Sequence, residues 1–229
     1  MRRRGWLNSP DAAIIGALML LVPGLLITNS MRDIIYGDTN SGVFRIVSVV
    51  LSALAIALGT AAAWQLTAGL YGRTGSAIVS WPAWVQAIAV FVGCCGFCIL
   101  FNTHGRGMVL CMMGGAASWM LYLLCRALGC DVYTANLFAA LLAAVYAETM
   151  ARVRRCPAMP YLVIAILPML PGAGVYYTMS LGLEGKTMEA VAKGLETLGI
   201  AGSLAVGILL VSTVFRLVTW RGEKAGKRA

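Results

Sequence analysis

The sequence predicts an all-α integral membrane protein of about seven transmembrane helices, two of them broken at Pro-Gly pairs and related by an inverted repeat. Three observations carry this reading. Of the 229 residues, 60% are hydrophobic and 12% charged, and the mean hydropathy of +0.82 is too apolar for a water-soluble domain of this length. The apolar residues fall into stretches of roughly 20, the length a helix needs to cross the hydrocarbon core. The stretch Leu21 to Gly42, LVPGLLITNSMRDIIYGDTNSG, also has a second copy 148 residues later. Pro23, Gly24, Met31, Gly37, Thr39 and Gly59 reappear in one ungapped register as Pro171, Gly172, Met179, Gly185, Thr187 and Gly207.

The first span is Asp11 to Asn29, and with no small-residue cleavage site before the next apolar stretch it is predicted to stay in the membrane. Pro23 removes a backbone donor and disfavours helix at the residue before it, so a break is expected at Val22 to Gly24. A polar run, Met31 to Ser41, carries Arg32, Asp33 and Asp38, and the second span is Val43 to Leu70. The Gly, Ser and Arg of YGRTGSAIVS mark a boundary, and Trp81 and Trp84 mark an interface. The chain thus divides into residues 1–75, a linker at 76–81, and residues 82–229.

Three spans follow, about Pro82 to Phe101, Gly107 to Leu128 and Tyr133 to Val153, and their short connections NTHGR and GCD imply antiparallel neighbours. The sixth, about Met159 to Gly182, contains Pro168, Pro171 and Gly172. Lys186 to Thr197 has Met188, Val191, Leu195 and Leu198 at helical spacing, which predicts a short interfacial helix before the seventh span, Leu198 to Trp220.

A net charge of +9 suggests nucleic acid in a soluble protein, but here many basic residues lie at span ends and in the tail RGEKAGKRA. That placement fits topology and lipid headgroups, and no nucleic-acid partner is expected. Seven crossings put seven basic residues on one side and eleven on the other, favouring a cytoplasmic C-terminus. The cysteines Cys94, Cys95, Cys98, Cys111, Cys125, Cys130 and Cys156 lie mostly within apolar runs and read as small packing side chains. CCGFC has no His or carboxylate at ligand spacing, so neither a metal nor a cofactor is expected. His104, in NTHGR, reads as a headgroup-level residue, and with no catalytic constellation the chain does not read as an enzyme.

From Pro23 to Pro171 the chain crosses five times, an odd number, so the two Pro-Gly elements point in opposite directions. Inverted repeats of broken helices are the architecture of secondary transporters, with substrate held near the midplane. A five-span repeat also places three spans before Asp11, through a truncated start or a separate subunit.

Two stretches, DAAIIGALMLLVPGLLITNSMRDIIYGDTNSGVFR and YAETMARVRRCPAMPYLVIAILPMLPGAGVYYTM, resemble the threonine/serine exporter family of bacterial inner-membrane transporters. Residues 1 to about 75 resemble the end of that family's first module and residues 82 to 220 its whole second module. The resemblance implies ten spans in two five-span modules and proton-driven export, by antiport, of threonine, serine or similar small amino acids. It also implies a chain acting as a truncated form or subunit, with a homo-oligomer or partner subunit completing the first module. The competing expectation is a non-transporting membrane scaffold or inactive remnant.

Glu148 is the only carboxylate inside an apolar span, which makes it the candidate for proton coupling; the alternative is a structural pair with Arg152, four residues on. For a zwitterionic substrate the candidate contacts are the two breaks, Pro23 with Gly24 and Pro171 with Gly172, where freed amides suit a carboxylate. Arg32, Asp33 and Asp38 follow the first break, and an aspartate there suits an ammonium. Thr28, Asn29, Tyr176, Tyr177 and Thr178 flank the breaks and suit a side-chain hydroxyl; the bland alternatives are solvated loop charges and interfacial tyrosines.

Overall fold

In hydrocarbon every backbone N–H and C=O must be satisfied within its own segment, so long apolar runs are driven into helix. The computed structural model describes residues 23–71 and 81–226, and all the elements in these residues are helical. They are α1 (Gly24–Ile35), α2 (Thr39–Tyr71), α3 (Ala83–Leu100), α4 (Arg106–Ala127), α5 (Val132–Arg154), α6 (Met159–Ile166), a 3₁₀ turn (Leu167–Met169), α7 (Gly172–Leu183) and α8 (Thr187–Gly226). Among the described residues five helices are long and apolar enough to cross a membrane, and the bent pair from Met159 to Leu183 makes a sixth when counted as one span. The predicted first span lies outside the described residues as far as Val22, and so does most of the predicted linker.

The break between α6 and α7 has a local cause. Pro168 and Pro171 each lack the donor a continuous helix needs, and Leu170, confined by the proline after it, is extended at φ −61°, ψ 131°. The two halves meet at 44°. Helix ends elsewhere are also sharply defined. Gly37 at φ 92° and Gly185 at φ 79° terminate α1 and α7 in the left-handed region, where a Cβ is strained.

Two expectations need correction. The charged run Met31 to Ser41 is not a loop: α1 continues to Ile35, and Asp33 is held on it by Arg45 of α2 at 3.1 Å. The helix stops at the first residue pair that demands it, Tyr36–Gly37. Nor do Lys186–Thr197 and Leu198–Trp220 form separate helices, because α8 runs unbroken for 40 residues, about 60 Å at 1.5 Å per residue. No proline interrupts it, Lys193 and Glu196 pair at 2.8 Å across the predicted junction, and a break would strand backbone groups beside hydrocarbon. Met188, Val191 and Leu195 are exposed apolar residues of this one helix.

The core is centred on α5, which packs on α4, α6 and α8. Its buried side chains are Ala135, Ala139, Ala140, Ala143, Ala144 and Ala147, with Asn136 beside them. Hydrophobic transfer gives little drive between helices that are already in lipid, so close approach of small residues supplies the packing. At Gly207 of α8 a Cβ would lie 2.9 Å from Ala140 Cβ and 3.1 Å from the Leu137 carbonyl oxygen. A second cluster joins α3, α4 and α6 through Cys94, Cys98, Cys111, Met112, Tyr161 and Ile164. Cys125 is buried too, Cys95 and Cys130 are half-buried, and Cys156 is exposed.

Gly207→Leu is expected to lower stability in detergent by about 1–3 kcal/mol, the usual cost of overpacking. Gly96→Leu, at a glycine with nothing within 4 Å of a built Cβ, should leave the thermal midpoint within error. Equal midpoints for both variants would rule out the α5–α8 contact as the tight one.

Candidate functional site

Each copy of the repeat builds the same unit: a proline N-cap, a 12-residue helix, a left-handed glycine and a long helix. Pro23 and Pro171 share a backbone conformation, φ −80°, ψ 47° and φ −78°, ψ 37°. The backbone bonds repeat in the 148-residue register. Ile27 N–H donates to Pro23 O at 3.1 Å and Val175 N–H to Pro171 O at 3.3 Å; Asp38 N–H donates to Asp33 O and Lys186 N–H to Leu181 O, both at 3.0 Å. The units also pack reciprocally, α1 against α8 and α7 against α2.

The cluster between them consists largely of repeat-equivalent pairs. Ile27 and Val175, and Ala53 and Ala201, are buried together, with Met31 and Met179 packed on them. At its edge the two breaks touch: a Cβ on Gly24 would lie 3.2 Å from Leu170 Cβ, 3.3 Å from Gly172 N and 3.4 Å from Gly172 Cα. Two helix N-termini thus start beside each other. The first amides of a helix have no intrahelical acceptor, and each terminus carries partial positive charge. Such a meeting point disfavours cations and suits one anionic group.

Of the predicted contacts, Pro23, Gly24, Pro171 and Gly172 are brought together here. Thr28 is buried one turn into α1 and donates to Gly24 O at 3.2 Å, while Thr178 donates to Gly174 O at 2.7 Å. Asn29 is half-buried. Tyr176 is buried and meets the more exposed Tyr177 edge-on at 5.6 Å between centroids. Arg32, Asp33 and Asp38 lie at the other end of α1. Asp33 is bound to Arg45 and to Ser41 Oγ, which donates to it at 3.4 Å, and Asp38 accepts from Ser41 N–H at 3.4 Å. Asp33, Asp38, Ser41 and Arg45 form a helix-end network remote from the breaks. Lys186, at the corresponding turn of the second copy, has its pKa raised by a 2.9 Å hydrogen bond to Glu184 and by the charges of Glu184 and Glu189.

Glu148 sits near the C-terminal end of α5 and pairs with Arg152 at 2.6 Å, and the Arg152 guanidinium lies 4.4 Å over the Phe215 ring of α8. His104 is exposed, with Nδ1 3.0 Å from Asn102 O. Among the described residues no group of three or more His, Cys, Asp or Glu side chains is arranged to hold a metal ion.

Sequence reasoning missed Trp119. It lies near the middle of α4, packs on the cluster of Ile166, Met169 and Leu204 beside Leu25 and Leu170, and stacks on Tyr122 at 5.1 Å. Its buried indole N–H has no acceptor, unusual for a tryptophan, which is normally partnered or placed at an interface. Its position in mid-span was the available signal. Thr197 was missed as well: it is buried against Gly174 and donates to Lys193 O at 2.6 Å.

The copies differ at the seat of the short helix. Ile34 packs on Gly42 in the first, whereas its counterpart Gly182 has nothing within 4 Å of a built Cβ, and an apolar groove of about 400 Å³ opens there between Leu54, Gly182, Ala190 and Gly194.

The family model described as "Threonine/Serine exporter, ThrE" matches residues 86–214, and a second threonine/serine exporter model matches residues 2–67. The chain belongs to the threonine/serine exporter family. Comparisons with curated proteins and with solved structures returned no match. The two matched regions of the exporter each contain one Pro-Gly unit, and membership, with its apolar helices, makes it a multi-pass membrane protein with an exporter role.

Gly24→Val should force the two breaks apart, since its nearest neighbours include backbone atoms that cannot yield. The expected result is a thermal midpoint in detergent lowered by the equivalent of about 1–3 kcal/mol. Glu184→Gln should return the Lys186 titration toward 10.5, followed by NMR of the labelled ammonium.

Proposed function

We propose that this exporter moves threonine, serine or similar small amino acids out across the bacterial inner membrane, with the substrate carboxylate held where Gly24 and Gly172 meet. The observation that carries the proposal is the abutment of the two repeat-related helix starts. First-turn amides of α1 and α7, which lack intrahelical acceptors, present donors at fixed positions beside Gly172 N–H, itself bonded to Leu170 O at 2.8 Å, and the Trp119 indole N–H supplies an unpaired donor on the adjoining cluster. The Pro168 carbonyl, three residues before Pro171 and passed over by the Gly172 N–H, which donates to Leu170 O, offers an acceptor to the ammonium, because Asp33 is engaged by Arg45. Thr28, Asn29, Tyr176, Tyr177 and Thr178 line the approach, with Thr28 and Thr178 able to exchange their intrahelical bonds for one to a substrate hydroxyl.

Proton coupling is assigned to Glu148, working as an antiport partner of the substrate. Protonation removes the charge that holds Arg152, and Arg152 bridges α5 to α8 through Phe215, so the proton acts on the central packing pair. A second reading is favoured by the same geometry: an i,i+4 pair that fixes the end of α5 and does nothing else. The remaining elements of the proposal are the division into residues 1–75 and 82–229, the opposite orientation of the repeats and a cytoplasmic C-terminus. The exporter is further proposed to act as a homo-oligomer or with a partner subunit.

Flux of labelled threonine and serine from proteoliposomes under an imposed pH gradient tests this. Trp119→Phe should raise the half-saturating concentration about tenfold, the lower end for losing a bond to a charged group. Glu148→Gln should abolish proton-driven flux and leave substrate exchange largely intact. Driven flux unchanged in Glu148→Gln leaves only the structural reading of that pair, and no flux with or without a partner subunit refutes transport.

A further inference from the structure

We infer that Cys125 and Cys130, at the turn between α4 and α5, form a reversible disulfide at the outer face of the membrane, closed by exchange with a soluble disulfide donor. The outer placement rests on the orientation proposed above; the pairing rests on the geometry of the turn.

α4 ends in a left-handed closure. Leu128 N–H donates to Leu124 O at 3.0 Å, Gly129 N–H to Arg126 O at 3.2 Å and Cys130 N–H to Cys125 O at 3.0 Å, with Gly129 at φ 87°. A closure of this form lays the side chain of its last residue on that of its first, a contact that is usually apolar. Here both side chains are free thiols, and they are in hydrogen-bonding contact. The turn is held from both sides: Arg126 Nη1 donates to Cys130 O at 2.9 Å, and Asp131 caps α5 by accepting from Tyr133 N–H at 3.3 Å. The backbone already joins the two residues that the disulfide would join. The same closure runs from Cys98 to Thr103 and from Ala151 to Cys156, where one of the two side chains is not a thiol.

Access separates this pair from the other thiols in contact. Cys130 is half-buried and Cys125 is 8% exposed. Cys98 and Cys111 also touch, yet both are at 0%, out of reach of a water-soluble oxidant. Charge supplies the compartment. The opposite end of the α4–α5 hairpin carries Arg106, Arg152, Arg154 and Arg155, whereas the turn carries Arg126 and Asp131. The more basic end stays on the cytoplasmic side, which leaves the turn outside, where disulfides form and persist. Cys156, exposed just past the far end of α5, then lies inside and stays reduced.

The exchange takes two steps. Cys130, the more accessible thiol, gives its proton to water, and its thiolate attacks one sulfur of the donor, breaking the donor's S–S bond and expelling a donor thiolate that takes up a proton. Cys125 then loses its proton and attacks the Cys130 sulfur of the mixed disulfide, forming the internal bond and expelling the second donor sulfur, which is protonated in turn. The protein is oxidised by two electrons and the donor disulfide is reduced to two thiols.

The test treats the purified full-length chain in detergent with oxidised glutathione, alkylates the remaining thiols in denaturant, and digests. Trypsin cleaves after Arg126, so Cys125 and Cys130 fall on separate peptides that a disulfide keeps joined. Joined peptides are expected, released by dithiothreitol, with Cys98 and Cys111 alkylated throughout. Cys125→Ala should lose the joined peptides and accumulate glutathione on Cys130 instead, and Cys156→Ala should leave closure unaltered. In acid-quenched cells the joined peptides are again expected, with Cys156 alkylated.

An unaltered chain that keeps both turn thiols alkylated, or that retains glutathione on Cys130 with Cys125 alkylated, overturns the disulfide whichever way the chain lies in the membrane. Closure in the purified chain with both turn thiols alkylated in cells overturns the outer placement. So does an impermeant maleimide that, after reduction by an impermeant phosphine, reaches Cys156 and not Cys130 from outside intact cells; that result also reverses the proposed orientation. Neither substrate nor a pH gradient is present, so failure of the transport reading leaves these measurements standing, and the reverse holds.

Discussion

Two helices can start against each other inside an apolar protein only where the chain has no side chain to place between them. Gly24 against Gly172 is that point, with 3.3 Å from a built Cβ to the facing backbone nitrogen. Everything peculiar to this structure follows from keeping those positions bare: the prolines that release the backbone before them, the short helices after them, and the left-handed glycines that return the chain into α2 and α8. The contact also sets an electrostatic condition. Two positive helix ends in low dielectric repel each other unless something negative is shared between them, so the place proposed for the substrate carboxylate is where the architecture is otherwise least comfortable.

The pairing of the units explains why this arrangement holds together. Each short helix rests on the long helix of the other copy, and the cluster of Ile27, Val175, Ala53 and Ala201 is shared rather than owned. Reciprocal contacts of this kind are the signature of a two-fold relation, in which a patch is complementary to its own equivalent. A one-sided substitution within that cluster acts on both units at once.

Much of this was legible in the sequence because proline and glycine act locally. Pro23-Gly24, Pro171-Gly172, Gly37 and Gly185 specify backbone conformations whatever surrounds them, and the spacing of apolar runs placed both ends of α3, α4 and α5 and the C-terminal end of α2 within a residue, but neither the start of α2, at Thr39 rather than Val43, nor either end of α8. What misled was polarity taken as a stop signal. Arg32 and Asp33 were read as loop, and Lys186 to Thr197 as a separate helix, yet charged residues sit comfortably in helix when they pair, as Asp33 does with Arg45 and Lys193 with Glu196. Trp119 stood out only by its mid-span position: its orphaned indole N–H is a property of its surroundings, contributed by α5, α6 and α8, and no spacing rule reports it. The pairing of Glu148 with Arg152 was readable from the i,i+4 spacing; the Phe215 ring beneath it was not.

The two halves of the repeat are not mechanical equals. Ile34 wedges the first short helix onto its long helix, whereas Gly182 leaves the second with a notch and no bulk to fill it. One isoleucine-to-glycine difference thus leaves the second short helix the more loosely seated of the two.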